Sequence, residues 1–260
     1  MIEPVTTITE FLKNIEELTA NNEKLWFRGL ENSNFKLCPS IYRPPFASNV
    51  EEHFLNKFSS RAIPFLTSSY SGYEYWHWLF LMQHHGVPTR LLDWSSSAIT
   101  ALAFAVLYRD EKHKDADAVV WCLNPILLND ENRIRVKLID NEKIPDITLK
   151  KELLPTYKFN ATGVVKYPVA ITGPLNNSRI VAQKGTFTLF PDTEAFNLED
   201  TEGASEFLTK ITLCKDHIES LKRQLSTLGV TESTIYPELS SLALEIKREF
   251  IEPLITLKHV

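Results

Sequence analysis

The tract from Trp76 to Tyr108, WHWLFLMQHHGVPTRLLDWSSSAITALAFAVLY, constrains the fold more than any other stretch. Its Trp- and Phe-rich start predicts a helix over 73–85. Gly86 supplies the left-handed residue that closes such a helix, and Pro88 blocks continuation. From Ala98 to Leu107 the chain is apolar almost all round, and a globular protein buries a helix of that kind. The serines Ser95, Ser96 and Ser97 are natural N-caps, so a helix is predicted over 97–109. Thr89–Ser97 then sits at the dipole-positive end of a buried helix. Such an end favours anions, which makes the tract the expected floor of a site.

The segments around it segregate by type. Residues 6–20 read as an amphipathic helix capped by Thr6 or Thr7, with Phe11, Ile15 and Leu18 on one face. Residues 24–30 read as a short strand carrying Arg28 and Gly29, and 50–66 as a second helix. Ala118–Leu123 and Arg133–Ile139 read as strands, the latter from its alternation of charged and apolar residues. Residues 140–170 are punctuated by prolines and receive no element. Arg179–Phe190 reads as two short strands around Lys184 and Gly185, residues 191–205 as an acidic surface loop, and Glu206–Leu213 as a strand. A helix over 215–228 closes at Gly229, and Pro237 opens a last one to about Glu249. Helices early, strands in the middle and helices in the tail predict an α+β fold. With no internal repeat and no clear linker, one domain over 1–260 is expected.

Composition narrows the function classes. A chain of 260 residues that is 43% hydrophobic can bury a sizeable core. Its formal net charge of -5 argues against nucleic-acid binding by bulk charge. No run of about 18 apolar residues exists, so no membrane span is expected. The start, MIEPVTTITE, lacks a secretory leader, and Cys38, Cys122 and Cys214 are scattered as reduced thiols would be. Both point to a cytoplasmic protein.

Few residues offer chemistry. Arg28 lies between aromatics and a glycine, and suits either an anion clamp or a salt bridge to a nearby carboxylate. His77, His84 and Asp93 permit a metal-hydrolase reading, but the helical spacing that zinc pairs use is missing, and no metal is expected. Asp93, Trp94, Ser95 and Ser96 could simply cap a helix. Grouped with Arg90 at a sharp turn, they could also seat a planar ring. No glycine-rich phosphate loop and no GxSxG elbow occurs.

WFRGL near the start, QHHGVPTRLLDWSSSAITALAFA and RIVAQKGTFTLF resemble the FRG-domain family, whose name denotes Phe-Arg-Gly; TIYPEL at 234–239 is a family-like tail. The motif-bearing core covers about 24–190, and the helical tail 215–260. An aromatic-Arg-Gly strand followed by a serine-rich turn and an Ala/Phe-rich helix also looks like the first two motifs of the ADP-ribosyltransferases that use Arg, Ser-Thr-Ser and Glu. That resemblance implies a split β-sheet core, with NAD as substrate. Arg28 would hold the cofactor, Ser95–Ser97 would support the nicotinamide pocket, and Gly29, Tyr42, His84, Arg90 and Trp94 would complete the NAD contacts. The third motif would fall on a strand at Ile180–Phe187. It offers Gln183 where the family has its catalytic Glu, leaving Asp93, Glu194 and Glu206 as alternative acids. The implied activity is transfer of ADP-ribose to a protein or nucleic-acid acceptor, by an intracellular toxin or anti-phage effector with an antitoxin or regulator as a possible partner. The competing expectation is a binding or sensor module that has kept the pocket and lost the acid.

Overall fold

The computed structural model of the chain describes residues 3–20, 24–46, 50–66, 75–136, 143–147, 167–174, 178–191 and 197–256. One six-stranded antiparallel sheet organises them. Its strands are β1 (Trp26–Leu30), β2 (Leu91–Ser95), β3 (Ala118–Leu123), β4 (Val169–Ile171), β5 (Gly185–Leu189) and β6 (Leu208–Leu213), in the order β4-β5-β2-β1-β3-β6. The ten helices among the described residues are α1 (Ile8–Leu18), α2 (Glu51–Ala62), α3 (Tyr75–His84), α4 (Ala98–Val106), α5 (Pro125–Val136), α6 (Ser178–Gln183), α7 (Ala204–Phe207), α8 (Ile218–Thr227), α9 (Glu232–Ile235) and α10 (Leu239–Thr256). No helix among the described residues is long and apolar enough to cross a membrane.

The ladder is uneven. β1 meets β3 along its whole length, from Trp26 opposite Leu123 to Leu30 opposite Val119, and β2 meets β5 over five pairs. β1 and β2 share only one registered pair, Phe27 with Ser95. The middle of the sheet is therefore a seam at which two well-paired halves share a single rung.

Apolar side chains cover both faces. On one face α1, α4 and α8 pack over Phe27, Val120, Cys122 and Ile211 through Phe11, Leu102 and Leu221. On the other half of that face α3 packs Trp76, Leu79 and Phe80 against Leu91, Phe187 and Leu189. Directly opposed residues of an antiparallel pair share a face, which puts Phe27, Ser95 and Gly185 on this side as well. Trp26, Leu92, Trp94 and Phe190 fill a third cluster with Ile41 and Tyr42.

Several expectations hold. Thr7 caps α1, accepting from the Glu10 amide at 3.2 Å. Gly86 and Gly229 close α3 and α8 with φ of 74° each. Ser97 caps α4, which is buried from Thr100 to Ala103 and at Ala105 and Val106. Gly29 is required by that helix, because a Cβ there would stand 1.8 Å from the Ala101 carbonyl oxygen and 2.8 Å from the Ala105 nitrogen.

Five readings are corrected. Leu91–Ser95 is a central strand rather than part of a turn, and Val169–Ile171 is an edge strand in a region given no element. Residues 133–136 belong to α5 rather than to a strand; residues 137–139 of that expectation lie outside the described residues. Ser178–Gln183 is helical, so only the second of the two strands expected over Arg179–Phe190 exists. Lys184 turns the chain between them with a φ of 48°. Residues 204–207 form the short helix α7 before β6 begins.

Candidate functional site

Where β1 and β2 part, a cavity of about 260 Å³ opens between α3, α4 and α6. β1 contributes Phe27, Arg28 and Gly29, β2 contributes Asp93, Trp94 and Ser95, and β5 contributes Gly185 and Phe187. Phe80, Gln83 and His84 enter from α3, Phe104 from α4, and Arg179, Ile180 and Gln183 from α6. Tyr236, just past α9, completes the wall. The lining is a set of rings with a few convergent polar groups, the usual constitution of a small-molecule site.

Arg28 lies in the seam. Its Nη1 donates to the Asp93 carbonyl oxygen at 2.6 Å and stands 3.9 Å from Asp93 Oδ2. Its side chain is only 18% exposed, and its Nε is buried without a hydrogen-bond partner among the described residues. Burial pushes this guanidinium down to about 10; Asp93 opposes that shift and Arg43 adds to it. Arg28 is therefore a cation at neutral pH with donor capacity unused.

Asp93 is the one exposed residue in an otherwise buried strand. Gln83 fixes its carboxylate: Gln83 Nε2 donates to Asp93 Oδ2 at 2.8 Å, while Gln83 Oε1 accepts from the Thr89 hydroxyl at 2.5 Å. His84, next along, is held below the ordinary imidazole value by burial first, then by His85 and Arg179, with Glu238 opposing. Its neutral ring can both donate and accept.

The serines act as carpentry. The Ser95 hydroxyl donates to the Gln183 carbonyl at 2.6 Å and accepts from the Ser97 amide at 3.0 Å. The Ser96 amide donates to the Lys184 carbonyl at 3.0 Å. Ser97 Oγ accepts from the Thr100 amide at 3.3 Å. Together they tie the end of β2 to the α6–β5 turn and start α4. The Gln183 side chain, in turn, donates to the Ile235 carbonyl at 3.2 Å.

Of the expected site residues, Arg28, Gly29, His84, Asp93, Trp94, Ser95 and Gln183 line this one cavity. Tyr42, Arg90 and Ser96 do not. Tyr42 is buried against Phe190, and its hydroxyl donates to the Pro191 carbonyl. Arg90 is buried beside Glu51, with Nε 2.7 Å from Glu51 Oε2 and Nη2 donating to the Tyr75 hydroxyl at 2.7 Å. Burial lowers its pKa, but Glu51 and Tyr75 outweigh that and the net shift is upward. Arg90 thus has the structural salt bridge that was one option for Arg28. Trp94 is buried, and its Nε1 donates to the Thr188 hydroxyl at 3.0 Å. The tract Thr89–Ser97, expected as the floor of a site, supplies Asp93, Trp94 and Ser95 to the lining, while α4 itself reaches the cavity through Phe104, beyond its first turn.

Among the alternative acids, Glu206 is exposed and absent from the lining, and Glu194 lies outside the described residues. Among the described residues no group of three His, Cys, Asp or Glu side chains could hold a metal, so His77, His84 and Asp93 do not converge as ligands.

Sequence reasoning overlooked Gln83, Arg179 and Tyr236. Each stood inside a quoted motif: Gln83 opens QHHGVPTR, Arg179 opens RIVAQKGTF, and Tyr236 is in TIYPEL.

Residues 23–115 match the family model described as FRG domain. That match covers WFRGL and QHHGVPTRLLDW and supports the resemblance read from them. It stops short of Arg179, Gln183 and Tyr236. No curated protein and no solved structure matches the chain.

Proposed function

We propose that this cavity binds the nicotinamide–ribose end of NAD and that the chain is an NAD-dependent ADP-ribosyltransferase. One observation carries the reading: Arg28 and Ser95, far apart in sequence, line one cavity with a single carboxylate, Asp93, at its edge. The volume of about 260 Å³ falls just below the roughly 300–1,000 Å³ typical of whole-ligand pockets. It suits one ring with its sugar, with Arg28 as the phosphate-binding group. Phe80, Phe104 and Phe187 offer apolar surface to a planar ring.

The reaction breaks the bond between ribose C1′ and the pyridinium nitrogen. The bonding pair leaves with neutral nicotinamide, and positive charge develops on the ribose. A fixed carboxylate stabilises that charge more than it stabilises bound NAD. Asp93, oriented by Gln83, takes this role in place of the family Glu, and Gln183 is left to position the α6–β5 turn. The acceptor's nucleophile then forms the new bond at C1′ and gives up a proton, for which Asp93 is the base at hand. The acceptor is a protein or nucleic-acid group. The role as an intracellular toxin or anti-phage effector follows from the same resemblance, as does regulation by an antitoxin.

Incubation with NAD labelled in its adenine half tests the proposal. Nicotinamide release and label transfer are expected from the wild-type chain. Asp93→Asn should lower turnover by about 10²–10³-fold while leaving NAD affinity within a few-fold. Arg28→Ala should lose both. Turnover that survives Asp93→Asn unchanged would remove this carboxylate from the chemistry.

A second reading is a nucleotide-binding module without turnover. It draws on Gln183, the residue the sequence offers for the family acid, lying at the end of a helix rather than on a strand, and on Asp93 being already engaged by Gln83 and Arg28. Tight NAD binding with no nicotinamide released would favour it.

A further inference from the structure

Arg179 lines the cavity and takes no part in the proposed transfer. It is half-buried in α6, and its guanidinium carbon lies 4.4 Å from the centre of the Tyr236 ring. Its Nη2 donates to the Tyr236 hydroxyl at 3.3 Å. No carboxylate pairs with it among the described residues. Tyr236 is itself braced edge-on by Phe104 at 5.8 Å and Tyr108 at 5.1 Å. The stack therefore holds one face of the guanidinium and one of its donors, and leaves the remaining donors of a cavity-lining residue for a ligand.

Arg28 reaches the cavity from β1 and Arg179 from α6. Arg179 acts on His84 and on Tyr236, and Asp93 acts on both Arg28 and Tyr236. A guanidinium that is partly desolvated, oriented by an aromatic face and unpaired by carboxylate is matched to a planar or tetrahedral oxyanion. Arg28, Arg179 and Asp93 leave the lining with more positive than negative charge, in a chain whose net charge is -5.

We propose that Arg179, seated on Tyr236, is a second phosphate-binding group of this cavity, and that its ligand carries phosphate to Arg179 as well as to Arg28. Tyr236 is the positioning residue: it fixes the fork of Arg179. The inference rests on the reading of this cavity as a nucleotide site, but not on turnover.

Calorimetric titration of the full chain with pyrophosphate, ADP, NAD and nicotinamide riboside tests it. Arg179→Met keeps the aliphatic stem and should weaken ADP and NAD by about 10- to 100-fold, with nicotinamide riboside within about twofold. Tyr236→Phe keeps the ring and should hold affinity within about threefold, while Tyr236→Leu removes the platform and should lose about tenfold. Thermal melts of each variant identify any that fail to fold; Arg179→Lys, which keeps the charge but not the fork, then serves as the milder variant and should fall between wild type and Arg179→Met. Equal weakening of phosphate-bearing and phosphate-free ligands by Arg179→Met would overturn the proposal, as would no weakening at all or a wild-type chain that binds none of the phosphate-bearing probes. Binding of ADP with no NAD turnover removes the transferase reading and keeps this contact. NAD turnover identical in wild type and Arg179→Met, with affinity unchanged, removes the contact and keeps the transferase.

Discussion

Arg28 and Arg90 pose the same chemical problem, a guanidinium largely removed from water, and the fold resolves it in two ways. Arg90 is 1% exposed and meets Glu51 head-on, so its charge is spent on structure. Arg28 meets only a backbone oxygen and a distant carboxylate, so it faces the cavity with donors to spare. The difference is Glu51, brought to Arg90 by α2. Arg90→Met should therefore cost about 3–5 kcal/mol in urea unfolding, because it removes the counter-charge of a buried carboxylate. Adding Glu51→Leu should recover much of the loss. His84 gives a second expectation at this scale. Its folded pKa is lowered, chiefly by burial, so the unfolded chain takes up the proton first. Above about pH 6.5 the ring carries no penalty, and below that value stability should fall as protonation favours unfolding. Urea midpoints across that range should drop more steeply for the wild type than for His84→Gln; parallel curves would contradict the assignment.

Gly29 shows how one element is seated on another. Helix α4 crosses β1 so closely that its backbone occupies the space of a side chain. Gly29→Ala should cost about 1–3 kcal/mol or more, because the obstacle is helix backbone that cannot rotate away. Chemical denaturation measures this, and an unchanged midpoint would mean that the helix yields freely. Elements with strong periodicity or caps were legible: α1 by its stripe, α3 by Gly86, α4 by its serine cap. Those missed have physical reasons. Leu91–Ser95 shows no alternation because both of its faces are covered, and a lone Asp interrupts it. Ile180 and Val181 favour a strand by propensity, yet Ile180 is buried over Gly185 in a single helical turn and a half. The start of α5 was signalled after all. Asn124 Oδ1 accepts from the amides of Ile126 and Leu127, with Pro125 at the first helical position, and the alternation from Arg133 onward distracted from it.

At the scale of the molecule, the cavity is assembled from both sides of the family match. Ten of its lining residues fall within 23–115, and the other six come from later in the chain. The three motifs quoted from the sequence meet at one place, which is why the convergence of Arg28 with Ser95 was foreseeable. The role of the helical tail was not. A motif such as TIYPEL states its residues but not the partner they approach, and the partner of Tyr236 is an arginine more than fifty positions earlier.

The lone rung between Phe27 and Ser95 has a mechanical corollary. A sheet stitched by a full ladder resists being prised open; one fastened at a single stitch gapes with little loss of backbone pairing. The width of this mouth is accordingly set less by strand pairing than by the side chains that bridge it, Arg28 reaching across to the Asp93 carbonyl first among them.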